Sequence, residues 1–339
     1  MSENNKLLFA DTLRGLAALA VVISHTLIFA DDSGSLGQFG VALFFIISGF
    51  VIPLSLDRYD RKGFVISRLF RIYPTYWAAF SITVAAAYLQ GQTYPLIELL
   101  QYYLIVRDLF GPAALDPIIW TLLIETKFYF LCLILMPLFV SKSRWLLTVP
   151  VALLLFCLAH PYYPPIFAFL SVYSTAQMII FMFIGVAFFL HYKARISTTA
   201  LCLTSLAYYV AMKFIWNTGP AAPTSHLGWS YLPAILAFGF CYSFRDLFSP
   251  SRPLGFLSNI SYPLYIVHVP IMMMCTMALS QTIQSPKLSA FIGALCSMAV
   301  AYILHILVET PSQRAGKRLA KSPWRLDENV NPFDRSRPV

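Results

Sequence analysis

Residues 7–29 read LLFADTLRGLAALAVVISHTLIF, an apolar run interrupted by Asp11, Arg14 and His25. About 20 apolar residues, each rising about 1.5 Å, cross the hydrocarbon core of a bilayer as a helix. A charge at that depth costs at least about 2.5 kcal/mol and marks a functional candidate. Runs of this type recur along the chain. Ten are read as spans: 7–29, 37–56, 73–89, 117–140, 145–160, 174–191, 197–215, 230–244, 255–280 and 288–309. The stretch 96–110 (LIELLQYYLIVRDLF) is shorter and mixed, and reads as a re-entrant or interfacial helix in a long outer loop.

Composition agrees with this reading. Of 339 residues 58% are apolar and 12% charged, with mean hydropathy +0.69, whereas soluble domains carry about 25% charged residues. A soluble enzyme, a disordered chain, a coiled coil and a secreted disulfide scaffold are excluded. An outer-membrane barrel would show alternating segments of about 10 residues, which are not visible. The expected fold is an all-α polytopic membrane protein: one transmembrane domain over 1–310 and a basic tail over 311–339, lying on the anionic inner leaflet. Six cysteines in apolar runs, without CxxC spacing or nearby His pairs, suggest neither disulfides nor a metal site. No small-residue cleavage site follows the first run, so no cleavable signal peptide is expected.

The net charge of +9 reads as topology rather than nucleic-acid binding. With the N-terminus inside, 19 of the 24 Lys and Arg fall in inner segments and three in outer loops. Both termini are therefore expected in the cytoplasm.

The polar residues within spans are the functional candidates. From Arg14 to His25, eleven steps of about 100° return to within about 20° of the same face and climb about 16 Å. Asp11 stands one turn before Arg14 and can pair with it. Geometry alone leaves two readings level: a working face of one helix, or an arginine reaching the interface and a histidine bonded to a neighbour. Glu125 and Lys127 (DPIIWTLLIETKFYF) point to nearly opposite faces. Glu125 can orient an imidazole on the first helix or form a structural ion pair. The inner loop 57–72 (DRYDRKGFVISRLFRI) holds five basic residues. Arg68 and Arg71, three apart, suit phosphate recognition, with a topology signal as the plainer reading. His268 lies in a span expected to be broken by Pro263 and Pro270, beside Tyr262 and Tyr265. The remaining histidines earn no role.

Six strings in order resemble the integral-membrane acyltransferase-3 family, from about Leu7 to Pro311. They are LRGLAALAVVISHT, FGVALFFIISGFVI, RLFRIYPTYW, IIWTLLIETKFYF, ISYPLYIVHVP and ILVETP. The resemblance implies an acyl-CoA donor on the cytoplasmic side, usually acetyl-CoA, and an acceptor hydroxyl on the outer side. It points to a bacterial inner membrane and to surface carbohydrate such as O-antigen, capsule or peptidoglycan. It also implies that His25 is the reactive imidazole. Some members add a periplasmic esterase-like domain; none is seen after the last helix here, so transfer would fall to the membrane domain or to a separate glycan-assembly partner.

The expected mechanism makes His25 a general base, with Glu125 stabilising its imidazolium, or else an acyl carrier. Arg14, fixed by Asp11, would stabilise the thioester oxygen. Arg68 and Arg71 would hold CoA phosphates. Ser48, Trp120, Tyr129 and His268 would line or support the cavity. Acceptor specificity is expected in outer loops 90–116, 161–173 and 216–229. The rival reading is a proton-coupled secondary transporter using the same Asp, Arg, His and Glu residues, but no paired broken helices are apparent.

Overall fold

A computed structural model describes residues 7–28, 35–107, 115, 118–159, 172–218, 229–249, 251–279 and 282–320. The regular elements among them are all helical. In chain order they are α1 (Leu8–Ile28), α2 (Ser35–Leu56), α3 (Arg61–Leu89), α4 (Leu96–Tyr103), α5 (Ile119–Ile134), α6 (Met136–Val140) and α7 (Val149–Ala159). There follow α8 (Val172–Tyr192), α9 (Thr198–Thr218), α10 (Tyr231–Ser243), α11 (Arg252–Leu279), α12 (Pro286–Leu304) and α13 (Thr310–Ala320). Six helices are long and apolar enough to cross a membrane, while Arg144–Ala159 and Tyr231–Ser243 are apolar but shorter.

α2 is the buried centre, packed against α1 on one side and α8 on the other. Close approach to α8 depends on two glycines. A Cβ on Gly49 would fall on the Met182 carbonyl, and one on Gly185 would fall on that of Ile46. Small residues that let backbones touch are how helices associate where the hydrophobic effect gives little driving force. α11 lies along both α1 and α12.

Two expectations change. Of the stretch 57–72 only 57–60 is a loop: α3 starts at Arg61, where Asp60 caps it by accepting from Gly63 N at 2.7 Å. α11 is not broken but continuous through Pro263 and Pro270, because neighbouring groups can re-satisfy freed carbonyls inside a bundle. The segment 96–110, read as a short helix, holds one over Leu96–Tyr103: this is α4, docked on α3 by the carbonyls at its end. Tyr73, Tyr76 and Trp77 of α3 donate to the carbonyls of Leu104, Tyr102 and Tyr103 at 3.1, 3.1 and 2.9 Å. A helix C-terminus leaves such carbonyls without internal partners.

Beyond α12 the chain makes a π-turn over His305–Glu309 and continues as α13, which packs on α3 with Gly316 against Phe70. The basic tail therefore begins as a docked helix, up to Ala320. At the same end Asp57 accepts from Lys142 at 3.1 Å and Lys193 at 2.9 Å. Burial alone would raise this carboxyl, but the two ammonium groups outweigh it and hold it below the usual carboxylate range.

Candidate active site

α1, α2, α3, α5 and α11 enclose a cavity of about 80 Å³. Arg14, Ser48, Arg71 and Glu125 face it, each from a different helix, together with Tyr262 and Tyr265 of α11. Room for only a few waters, in apolar walls that include Val41, Phe45 and Leu122, suits a small guest.

Arg14 donates to Asp11 at 2.9 Å, the pairing their spacing predicts. The Glu125 carboxylate accepts from Tyr129 OH at 2.5 Å and lies within electrostatic reach of both Arg14 and Arg71. One carboxylate thus faces two guanidinium groups across the cavity, with Asp11 paired to the first and Glu309 within electrostatic reach of the second. Lys127, on the opposite face of α5, donates to Thr175 of α8 at 2.9 Å and ties the two helices together. Trp120 packs edge-on against Phe45 and does not line the cavity.

A second pocket, about 200 Å³, opens at the basic end of the molecule. Arg58, Arg68, Arg71 and Lys317 line it, with Ser67 and Gln313. The Arg68 guanidinium lies 5.4 Å from the ring of Phe64 and 5.5 Å from that of Tyr129, two rings that meet edge-on. Its Nε is buried without a hydrogen-bond partner. Arg71 faces both pockets and is the side chain they share.

His25 departs from expectation in its partner. Its Nδ1 lies 2.9 Å from the Val21 carbonyl and 3.3 Å from Nε2 of His268, which is fully buried on α11. Carbonyls only accept, so His25 carries its proton on Nδ1. The Nδ1 of His268, 2.8 Å from the Tyr265 carbonyl, is protonated for the same reason. His268 Nε2 is then a free acceptor for His25 Nδ1–H, and His25 Nε2 keeps its lone pair. Of the two readings open for Glu125, orienting an imidazole or pairing with a cation, the structure sets it beside Tyr129, Arg14 and Arg71, and it is His268 that meets His25. Neither histidine lines the cavity. Tyr265 connects the two sites: it faces the cavity, and its ring lies 5.9 Å from that of His268.

The profile of one protein family, described as an acyltransferase domain, matches residues 7–306. The chain belongs to the acyltransferase-3 family. It is also similar to a Bacillus subtilis (strain 168) protein named "Putative peptidoglycan O-acetyltransferase YrhL", at 25% identity over 314 residues. That alignment covers 78% of this chain and 48% of the relative, so the chain spans about half of the relative's length. No solved structure matches.

This acyltransferase-3 chain also has site residues that sequence reading passed over. Glu309 is buried at the π-turn, bonded to His305 at 2.7 Å and Gln313 at 2.9 Å, and within electrostatic reach of Arg71. The signal was present in the four-residue spacing of His305 and Glu309, which puts them on one helix face. Gln313 and Lys317 follow Glu309 by one and two turns and join Arg58 in the basic pocket. Of the outer loops expected to read the acceptor, 108–114, 116, 161–171 and 219–228 lie outside the described residues.

Proposed function

We propose that this protein is a membrane O-acyltransferase that takes an acyl group, acetyl by preference, from acyl-CoA at its basic end. The acceptor is a carbohydrate hydroxyl on the opposite side of the membrane. The observation that carries this reading is Arg71, which faces both the basic pocket and the enclosed cavity. CoA is an anionic handle joined to a small acyl thioester, and the two compartments divide along the same line.

Arg58, Arg68 and Lys317 offer charge and donors to the CoA phosphates, and the unpartnered Arg68 Nε gains an acceptor. The acyl group enters the cavity, where Arg71 and Arg14 stabilise charge growing on the thioester oxygen. Its volume of about 80 Å³ favours a short acyl chain. Tyr265 is the side chain to be passed on the way to the histidine pair. His25 Nε2 takes the proton of the acceptor hydroxyl as its oxygen bonds to the acyl carbon. The carbon–sulfur bond then breaks, and the thiolate leaves with CoA and recovers the proton. His268 holds the imidazolium through Nδ1–H. In the relay form, the acyl group rests on His25 Nε2 between donor and acceptor.

The reading further places the protein in a bacterial inner membrane, with the basic end in the cytoplasm. The relative's name makes peptidoglycan the first acceptor to try. Purified protein incubated with radiolabelled acetyl-CoA and a glycan should transfer label. His25→Ala and Arg14→Ala should each abolish it. Transfer at wild-type rate by either variant would overturn the mechanism.

A further inference from the structure

α8, α9 and α10 border a separate open groove of about 680 Å³ that shares no residue with the two pockets described above. Ligand sites typically measure about 300–1,000 Å³. Its walls are apolar, with Leu201, Leu206, Leu232, Ile235, Leu236 and Phe240.

Polar groups occur at two levels. At the mouth, His191 bridges Tyr242 OH at 2.8 Å and Thr198 Oγ1 at 3.1 Å. Arg245 donates to the Tyr242 carbonyl at 3.0 Å while its guanidinium covers the Tyr242 ring at 4.8 Å. A cation is thereby held at the basic end of three helices. Deeper in, Ser205 Oγ and Tyr209 OH have no hydrogen-bond partner, although the two residues are only 8% and 7% exposed. Ser205 is seven residues along α9 from Thr198, about 10 Å below the mouth. Side chains on a helix lean toward its N-terminus, so Tyr209 reaches back to the level of Ser205.

Buried hydroxyls in native proteins are almost always satisfied. Two orphans at one depth in an apolar space call for a guest with acceptors at that depth and hydrocarbon around them. We propose that this space holds one anionic glycerophospholipid of the basic-side leaflet, its phosphate at Arg245 and its ester carbonyls accepting from Ser205 and Tyr209. An acyl chain lies along Leu206, Leu232 and Leu236. An isoprenoid phosphate would match the cation and the apolar wall but carries no carbonyl for the hydroxyls. A water-soluble ligand would leave the wall unused.

The full-length protein, purified in mild detergent, would be analysed by native mass spectrometry after exchange with defined phosphatidylglycerol. The wild type should retain one lipid. Ser205→Ala with Tyr209→Phe, and separately Arg245→Gln, should lower that occupancy about fivefold or more. CoA release from acetyl-CoA should stay at the wild-type rate in these variants. On the wild type, an ether-linked analogue without carbonyls should compete several-fold less well than the ester lipid, a comparison that needs no variant to fold. The assignment is overturned if ether and ester lipids compete equally, if both variants keep full occupancy, or if the co-purified lipid is an isoprenoid phosphate.

Discussion

Replacing His268 probes the histidine pair most directly. Its Nε2 stands 3.3 Å from His25 Nδ1, a long hydrogen bond, while Nδ1 keeps Val21 O at 2.9 Å. In the resting enzyme the bond to His268 is neutral and worth about 0.5–1.5 kcal/mol. When His25 takes a proton on Nε2 the donor becomes charged, and such bonds reach about 1.5–3 kcal/mol. Only the increment of about 1–1.5 kcal/mol acts on the transition state, since equal stabilisation of both states leaves kcat unchanged. At 1.36 kcal/mol per decade, His268→Ala should lower kcat about five- to tenfold. Loss of the base itself in His25→Ala should cost about 10²–10⁴-fold. His268→Gln, which keeps an acceptor oxygen, should recover part of the loss. KM for acetyl-CoA should not move, because the basic pocket is built from other residues. The assay is CoA thiol release by purified protein with acetyl-CoA and a glycan, beside thermal unfolding to confirm that each variant is folded. Wild-type kcat in a folded His268→Ala variant, with a drop in Glu125→Gln alone, would refute the pairing and return the orienting role to the carboxylate.

Arg71→Ala should raise KM for acetyl-CoA and also lower kcat, whereas Arg68→Ala should act on KM alone. Loss of one charged bond predicts about 10–100-fold weaker binding by calorimetry. Gly49→Ala should destabilise the protein by about 1–3 kcal/mol or more in thermal unfolding, because the new Cβ meets backbone that must retreat. Gly239→Ala, whose Cβ would meet only Phe188 Cζ at 3.5 Å, should leave the unfolding temperature nearly unchanged. The lowered Asp57 carboxyl means that the unfolded chain binds more protons than the folded one on the acid side. Its contribution is therefore present above the ordinary carboxylate range and lost as pH falls through the lower folded value. Asp57→Asn should reduce stability at neutral pH and flatten that acid limb in unfolding measured against pH.

The sequence read best what is local to one helix. Asp11 and Arg14 pair as a one-turn spacing requires, Arg68 and Arg71 share a pocket, and Glu125 and Lys127 part to opposite faces. Each follows from the 3.6-residue turn, which a sequence carries in its spacing. Scarce charge and long apolar runs identified the membrane class for an equally direct reason, since lipid tolerates little else.

Which helix meets which was not legible. A span such as α2 is buried and apolar nearly all round, so its composition names no preferred face. The choice falls to shape, as in the close approach of Gly49 to α8, and to polar partners far apart in the chain. His25 and His268 meet across 243 positions, and Arg71 becomes a junction only because α3, α11 and α13 converge on it. By itself the sequence determined a helical membrane protein, its candidate polar residues and its family resemblance. Tertiary packing alone decided that His268, rather than Glu125, stands behind His25, because periodicity fixes directions within a helix and carries no distance between helices.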